Sequence, residues 1–169
     1  NLLVEFRVID VCGNISLNCS GPGTFITLRD LTVPVIGNVA FPCPADLSVN
    51  TSANGTGDCT ASGSWNHPMP VDNCSISCFE MQIEKMINGV YVIQSTTAVT
   101  GGASAGALTF IKGPLCTDDK YRVTYTAKDE HGNVAAPCSF IVTVVDNEAP
   151  VLTCPTPNTV NLVAVPGDC

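Results

Sequence analysis

Charge is scarce in this sequence, and positive charge is scarcest. Only 13% of the 169 residues are charged, and 7 Lys and Arg stand against 15 Asp and Glu, which gives a formal net charge of −8. Such a chain repels a phosphate backbone, so nucleic acid is not expected as a partner. The hydrophobic fraction of 45% is still too high for a disordered chain, and the protein should fold.

Long apolar runs are also missing. No uninterrupted apolar run comes near the ~18 residues that a membrane span needs, so no membrane insertion is predicted. The start, Asn1-Leu-Leu-Val4, has no basic stretch before an apolar core, so a secretion signal is expected to have been removed or to lie outside this segment. The chain has no H-E-x-x-H motif and no glycine-rich phosphate loop, and we predict that it is not an enzyme and has no catalytic residues.

Ten cysteines are the strongest signal in the composition. None forms a C-x-x-C pair, and the two histidines, His67 and His131, are each expected at the surface or in a turn. Zinc sites use closely paired ligands, so no metal ligands are predicted, and disulfides in an oxidising, extracellular compartment are favoured. The cysteines predicted to form disulfides are Cys12, Cys19, Cys43, Cys59, Cys74, Cys78, Cys116 and Cys138.

Sequons for N-glycosylation cluster in the first half of the chain and predict covalent glycans. They begin at Asn14, Asn18, Asn50, Asn54 and Asn73. Asn50 and Asn54 are the strongest candidates because they are expected in a polar turn that contains glycine, whereas the other three are beside or near cysteines.

The chain also repeats itself, with a period of roughly 110–120 residues that suits one domain. The evidence for the repeat is a series of matching segments that occur in the same order, with a sequence separation that decreases slowly along the chain. The clearest pairs are Asp10-Val-Cys-Gly-Asn14 with Asp129-Glu-His-Gly-Asn133, and Val-Pro-Val-Ile at 33–36 with Ala-Pro-Val-Leu at 149–152. The predicted parts are the C-terminal hairpin of a preceding unit at 1–33, a complete unit at 34–148, and the first strand of a following unit at 149–169.

Short alternating runs bounded by Gly, Pro, Asn and Asp predict an all-β fold. Residues 121–127 and 140–145 are expected to form one hairpin, and Asn88-Gly89 to turn another. Trp65, the only tryptophan, is expected to fill the core between two sheets. Other strands are predicted at 4–9, 25–28, 47–51, 60–65, 76–85 and 90–95, with a loop or ragged edge strand at 95–107. About seven short strands at regular spacing indicate an immunoglobulin-like β-sandwich.

A set of short motifs occurs in one order through residues 34–150. They are Cys43-Pro44, Gly57-Asp-Cys59, Trp65 followed by Pro68 and Pro70, Asp72-Asn-Cys74, Tyr125-Thr-Ala-Lys-Asp129, Gly132-Asn133, Cys138-Ser-Phe140 and Asp146-Asn-Glu-Ala-Pro150. The set resembles the hyalin repeat (HYR) family. That resemblance implies an immunoglobulin-like fold in extracellular multi-domain proteins of adhesion and surface layers, without catalysis. Cys78 and Cys116 are additional to the usual four cysteines of the family.

The sequence leaves the disulfide connectivity open, since ten cysteines allow roughly nine hundred pairings. In a sandwich, Cys43, Cys74 and Cys138 are expected near one pole, and Cys59 and Cys116 at the other. The pairs that would fit are Cys12–Cys19, Cys43–Cys138, Cys59–Cys116 and Cys74–Cys78, which leaves Cys154 and Cys169 to partners outside this segment.

Two functions are compatible with these patterns. The first is a structural or adhesive module of an extracellular filament, stalk or surface fibre, whose partners are other copies of itself or adjacent repeats of the same chain, joined covalently or by strand exchange. The alternative is a calcium-stiffened cell-adhesion or glycan-binding module, because Asp146-Asn-Glu148 resembles cadherin linkers and Asp129 and Glu130 lie on a turn. No cofactor is predicted apart from Ca²⁺ as a candidate.

Overall fold

The computed structural model describes residues 2–4, 9–15, 24–26, 29–51, 59–113 and 119–149. These residues contain eleven strands and no helix. The strands are β1 Leu2–Val4, β2 Thr24–Ile26, β3 Val35–Ile36, β4 Leu47–Asn50, β5 Thr60–Gly63, β6 Pro70–Val71, β7 Ile76–Ile87, β8 Val90–Ala98, β9 Leu108–Ile111, β10 Asp119–Asp129 and β11 Cys138–Val145.

A five-stranded sheet with the order β4-β11-β10-β7-β8 dominates the fold. Its neighbours are antiparallel except β4, which runs parallel to β11. Burial alternates strictly along the middle of β10, where Tyr121, Val123 and Tyr125 are buried and the residues between them are partly exposed. This period of two places one face of the sheet on the core.

The hydrophobic core joins this sheet to two smaller ones, β3-β6 and β5-β9. Val123 and Val142 of the large sheet are fully buried, and Ala61 of β5 and Phe110 of β9 belong to the same cluster. Ile36 of β3 packs against it. The predicted all-β class is confirmed, and the arrangement of the sheets is sandwich-like.

Trp65 has the predicted core role, although β5 ends two residues before it. Its ring meets Phe140 edge-on, with centroids 5.0 Å apart, and stacks on Phe110 at 6.3 Å. A side chain at Gly63 would press on Phe110, since an added Cβ would lie 3.3 Å from that ring. A glycine there lets the aromatic cluster close over the strand.

Both predicted hairpins of the large sheet are present. β7 and β8 are joined through Asn88 and Gly89, whose φ angles of 52° and 82° suit a type I′ turn. β10 and β11 pair antiparallel, and Gly132 has φ 92° in the turn between them. β8 runs to Ala98, so the segment predicted as a loop or edge strand begins as a strand.

The structure describes only part of the hairpin predicted within residues 1–33. β1 and β2 pair antiparallel, with Leu2 opposite Ile26, and form a separate two-stranded sheet. Residues 5–8 and 27–28 of the predicted strands lie outside the described residues, as does the predicted strand in 149–169 apart from Ala149.

Candidate functional site

Three carboxylates converge where three separate segments of the chain meet. Asp30 lies ahead of β3, Asp72 directly follows β6, and Asp129 ends β10. One oxygen from each of these side chains lies within 4.8 Å of the others. Asp129 is 1% exposed, and the other two residues are partly buried.

Asp129 is held by the turn that it begins. Its Oδ1 accepts hydrogen bonds from the backbone N–H groups of His131 and Asn133, both at 2.8 Å, and its Oδ2 accepts one from Asn133 Nδ2 at 2.7 Å. Burial works to raise the pKa of Asp129, but the hydrogen bonds from Asn133 and His131 outweigh it and lower the pKa. The carboxylate is therefore charged at neutral pH.

Asp30 is fixed to the loops around it through one oxygen and its backbone. Its Oδ1 accepts from the Thr32 backbone N–H at 3.0 Å and from Asn73 Nδ2 at 3.2 Å, and its carbonyl accepts from Asn133 Nδ2 at 3.2 Å. The Thr32 N–H contributes most to lowering the pKa of Asp30 to about 2. The other oxygen, Oδ2, is buried and accepts no hydrogen bond, and His131 Nδ1 lies 4.0 Å from it.

Asp72 forms an Asx-turn. Its Oδ2 accepts a hydrogen bond from the Cys74 backbone N–H at 3.0 Å, whereas its Oδ1 is buried without a partner. Contact of the Cys74 thiol with Asp30, together with burial, raises the pKa of that thiol to about 11. The cluster thus combines negative charge with two buried oxygens that no donor satisfies.

Two overlapping sets of side chains could hold a metal ion here. Asp30, Asp72 and Asp129 offer oxygen alone, and Asp30, Cys74 and His131 offer oxygen, sulfur and nitrogen. Oxygen ligands suit hard cations such as Ca²⁺, and the mixed set suits Zn²⁺.

The structure brings together only part of the calcium set expected from the sequence. Asp129 belongs to the cluster, but Glu130, Asp146 and Glu148 are exposed, and Asp146 Oδ1 instead accepts the Glu148 backbone N–H at 3.0 Å. Asp30 and Asp72 were not predicted as ligands. The sequence did contain a signal for Asp30. In the repeat that matches residues 33–36 with 149–152, Asp30 corresponds to Asp146, which belongs to the calcium set expected from the sequence.

The prediction of a surface position is wrong for His67. Its side chain is buried, with the residue 6% exposed, and Nδ1 lies 2.8 Å from Tyr125 Oη, which also accepts a hydrogen bond from Trp65 Nε1 at 2.7 Å. Burial lowers the pKa of His67 and raises that of Tyr125 to about 12. The loop folds inward because its backbone pairs with residues 102–103. His131 is exposed in its turn, as predicted.

A hydrolase-like pattern, G-x-S-x-G, occurs at 102–106. In hydrolases the serine of this pattern sits on a sharp turn between a strand and a helix, next to a histidine. Here Ser104 is exposed in the connection between β8 and β9, and its Oγ accepts the Gly106 backbone N–H at 3.1 Å. The His67 ring contacts Tyr125 Oη through its Nδ1.

The disulfide between Cys43 and Cys138 is present, as predicted, and it links residues 95 positions apart. The predicted Cys74–Cys78 bond is wrong: both residues are free thiols. Cys78 lies within β7 opposite Lys128, while Cys74 lies in the turn before that strand and faces Asp30. Cys12, also predicted to be paired, is an exposed free thiol. The partners predicted for Cys12 and Cys59 are Cys19 and Cys116, which lie outside the described residues, as do Cys154 and Cys169.

Three of the five sequon asparagines are described, and all three are exposed. Asn50 ends β4 rather than lying in a turn, and its Oδ1 accepts from Asn147 Nδ2 at 3.2 Å. The amide nitrogens of Asn14 and Asn73 are engaged with Asp10 and Asp30. Asn18 and Asn54 lie outside the described residues.

Within the described ranges, no helix has the length and apolar character needed to cross a membrane. The Cys43–Cys138 bond is consistent with an oxidising, extracellular environment.

Comparison with known proteins gives no relative. A scan against protein-family models finds no match, and a search of curated proteins finds no similar sequence. The resemblance to the hyalin repeat therefore stays a prediction from the motifs.

Proposed function

We propose that the protein is a structural or adhesive module of an extracellular filament, stalk or surface fibre. Its immunoglobulin-like, glycosylated units of hyalin-repeat type follow one another in tandem or complete each other by strand exchange. In this proposal residues 1–33, 34–148 and 149–169 belong to three successive units, the partners are copies of the same unit, and the protein has no catalytic role.

One observation carries this proposal: a turn occurs twice with the same hydrogen bonds. Asp10 Oδ1 accepts from the backbone N–H groups of Cys12 and Asn14, at 2.9 and 2.8 Å, and Asp10 Oδ2 accepts from Asn14 Nδ2 at 2.7 Å. Asp129 makes the corresponding three bonds in the complete unit. An isolated antiparallel bridge flanks each turn, Ile9 with Ile15 and Lys128 with Val134. Repetition of sequence and of local geometry together favours tandem units.

The segment that enters the complete unit is attached to it. Asn133 Nδ2 donates to the Asp30 carbonyl, and Asn73 Nδ2 donates to Asp30 Oδ1, each at 3.2 Å. Four residues later Pro34 is fully buried and holds a fixed φ. These contacts limit the swing of the entering segment, which suits a load-bearing array.

The outer strand of the large sheet favours lateral contacts between units. Among the described strands, β8 pairs only with β7, and Val90, Val92 and Ile93 on it are 64%, 42% and 59% exposed. An edge strand with exposed apolar side chains can pair with another chain. This edge is the element that strand exchange would use.

A second candidate function is a calcium-stiffened adhesion module, which the cluster of Asp30, Asp72 and Asp129 favours. The glycan-binding variant has no such support, because Trp65 packs between Phe110 and Phe140 rather than presenting its face as a sugar platform.

The first test is the molecular mass of the native material, denatured without reduction, before and after glycan removal. The segment itself has a mass of 17.6 kDa. A mass on the order of hundreds of kilodaltons is expected for a continuous tandem chain. A mass near that of the segment plus sugar, with filaments in electron micrographs, supports strand exchange. A small, glycan-free monomer that forms no assembly would contradict the proposal.

A further inference from the structure

The charges around Asp30 are not balanced by the hydrogen bonds of the protein. The Asp30 side chain is only 6% exposed, yet among the described residues its Oδ2 accepts no hydrogen bond of ordinary geometry, and the buried Oδ1 of Asp72 accepts none either. The Cys74 thiol, a weak donor, lies beside the Asp30 carboxylate. Buried polar atoms are nearly always satisfied, so two such oxygens in one cluster require an explanation. With Asp129 they place three carboxylates together, and like charges at this distance repel.

We infer that Asp30, Asp72 and Asp129 form a binding site for a Ca²⁺ ion. Their ligand oxygens lie within 4.8 Å of one another, the separation that two oxygens on opposite sides of Ca²⁺ reach with bonds of about 2.4 Å. The ion supplies the positive charge that the cluster lacks, and the unpartnered oxygens of Asp30 and Asp72 are available to it as ligands. Carboxylates are the ligands that calcium prefers, and water completes its coordination at open positions.

The alternative zinc-type set explains less of the geometry. It comprises Asp30, Cys74 and His131, with His131 Nδ1 4.0 Å from the unpartnered Asp30 Oδ2. It leaves the buried Oδ1 of Asp72 without a partner and the repulsion between Asp72 and Asp129 uncompensated. The all-oxygen set resolves both, and the structure therefore favours a hard cation.

The site connects three separate segments, which hydrogen bonds from Asn73 and Asn133 to Asp30 already hold together. Asp30 belongs to the segment that enters the unit, Asp72 to the β6–β7 connection, and Asp129 to the β10–β11 turn. One ion coordinated by all three fixes the entering segment to two loops of the sandwich. The role as a stiffener rests on the proposed tandem function, whereas the binding of Ca²⁺ itself does not.

Calcium binding is measured on the whole 169-residue chain by calorimetric titration after EDTA treatment, with Mg²⁺ as the competing cation. A dissociation constant on the order of 0.1–1 mM is expected, as in extracellular calcium modules. Saturating Ca²⁺ should raise the thermal unfolding midpoint by several degrees, since the folded state alone binds it. Trypsin cleavage after Arg29, which is exposed immediately before Asp30, should slow at least tenfold.

Asp72→Asn and Asp146→Asn form a matched pair of variants. Asp72→Asn removes one ligand charge and relieves the repulsion, so the EDTA-treated variant should be as stable as the wild type or more stable. Its calcium affinity should fall at least tenfold, with loss of the protection at Arg29. Asp146 is exposed, and its side chain accepts the Glu148 N–H of its own turn and lies outside the acidic cluster, so Asp146→Asn should bind calcium like the wild type.

Three results would overturn the site. One is no calcium effect on either the midpoint or the cleavage rate up to 10 mM of the ion, about tenfold above the weakest expected constant. Another is an effect that Asp146→Asn abolishes and Asp72→Asn does not. The third is tight Zn²⁺ binding that Cys74→Ser removes and Asp72→Asn leaves intact. These results do not depend on the native mass. If the protein binds calcium but is an unassembled monomer, only the fibre proposal is contradicted. If the native mass is large but no calcium binds, only the calcium site is contradicted.

Discussion

Removal of the Tyr125 hydroxyl should destabilise the fold by more than a single lost atom suggests. The residue is fully buried, and its hydroxyl accepts a hydrogen bond from Trp65 Nε1 and lies 2.8 Å from Nδ1 of His67. The hydroxyl also lies 3.4 Å from Met81 Sδ, to which it can donate its single proton, and the tautomer of the His67 ring sets which partner donates at Nδ1. Phenylalanine keeps the ring and its stacking on Phe79, with centroids 5.6 Å apart, but leaves both nitrogens without their partner.

The expected loss of stability comes from the two nitrogens that lose this partner, Trp65 Nε1 and His67 Nδ1. A buried polar group left without a hydrogen bond costs about 1–3 kcal/mol. Trp65 is only half-buried, so its cost lies at the low end, whereas His67 is 6% exposed. Tyr125→Phe should therefore lower the free energy of unfolding by about 2–4 kcal/mol.

Urea unfolding followed by the fluorescence of the only tryptophan measures this change. Tyr91→Phe is the matched control, because the Tyr91 ring is partly exposed and lies beneath Arg122 at 4.2 Å. The control should stay within about 0.5 kcal/mol of the wild type. If Tyr125→Phe also stays within that range, the hydroxyl does not organise the core and the reasoning fails.

Two further predictions concern pH and the disulfide. Burial lowers the pKa of His67 below its unfolded value of 6.5, so its contribution to stability is complete above pH 6.5 and is lost as the pH falls toward the folded pKa. The free energy of unfolding, measured with urea between pH 7.5 and 5, should fall by up to ~1.4 kcal/mol per pH unit in the wild type. A wild-type slope no steeper than that of His67→Gln would contradict this. The Cys43–Cys138 bond closes a loop of 95 residues, so replacing both cysteines by serine should cost about 4–5 kcal/mol in the same assay, and an unchanged midpoint would show that the bond does not constrain the unfolded chain.

The strands of the large sheet could be predicted because alternation and turn chemistry are local properties of the sequence. β10 and β11 each show the period of two, and Asn88-Gly89 takes the positive φ angles that a tight hairpin needs. The apolar side chains on one face of each strand then predict the core residues from the sequence alone. The parallel pairing of β4 with β11 has no local signal and was not predicted.

The candidate site could be predicted only in part because its members are distant in sequence. Asp30, Asp72 and Asp129 each form an ordinary Asx or capping turn, and nothing local shows that the turns meet. The wrong Cys74–Cys78 pairing has the same origin. Short spacing suggested a bond, but the boundary of β7 separates the two side chains and directs Cys74 toward Asp30.

The repeated turn bears on which cation neutralises the acidic cluster. In the turn at 129–133, His131 is one candidate, since its Nδ1 lies 4.0 Å from Asp30 Oδ2. At the corresponding position of the first turn, however, the chain has Cys12, while the aspartate and asparagine of the turn are retained as Asp10 and Asn14. Under the tandem arrangement a histidine therefore cannot be the partner common to every unit, whereas a metal ion can. Calcium dependence should then increase with the number of junctions in the native chain rather than stay at the value of a single unit.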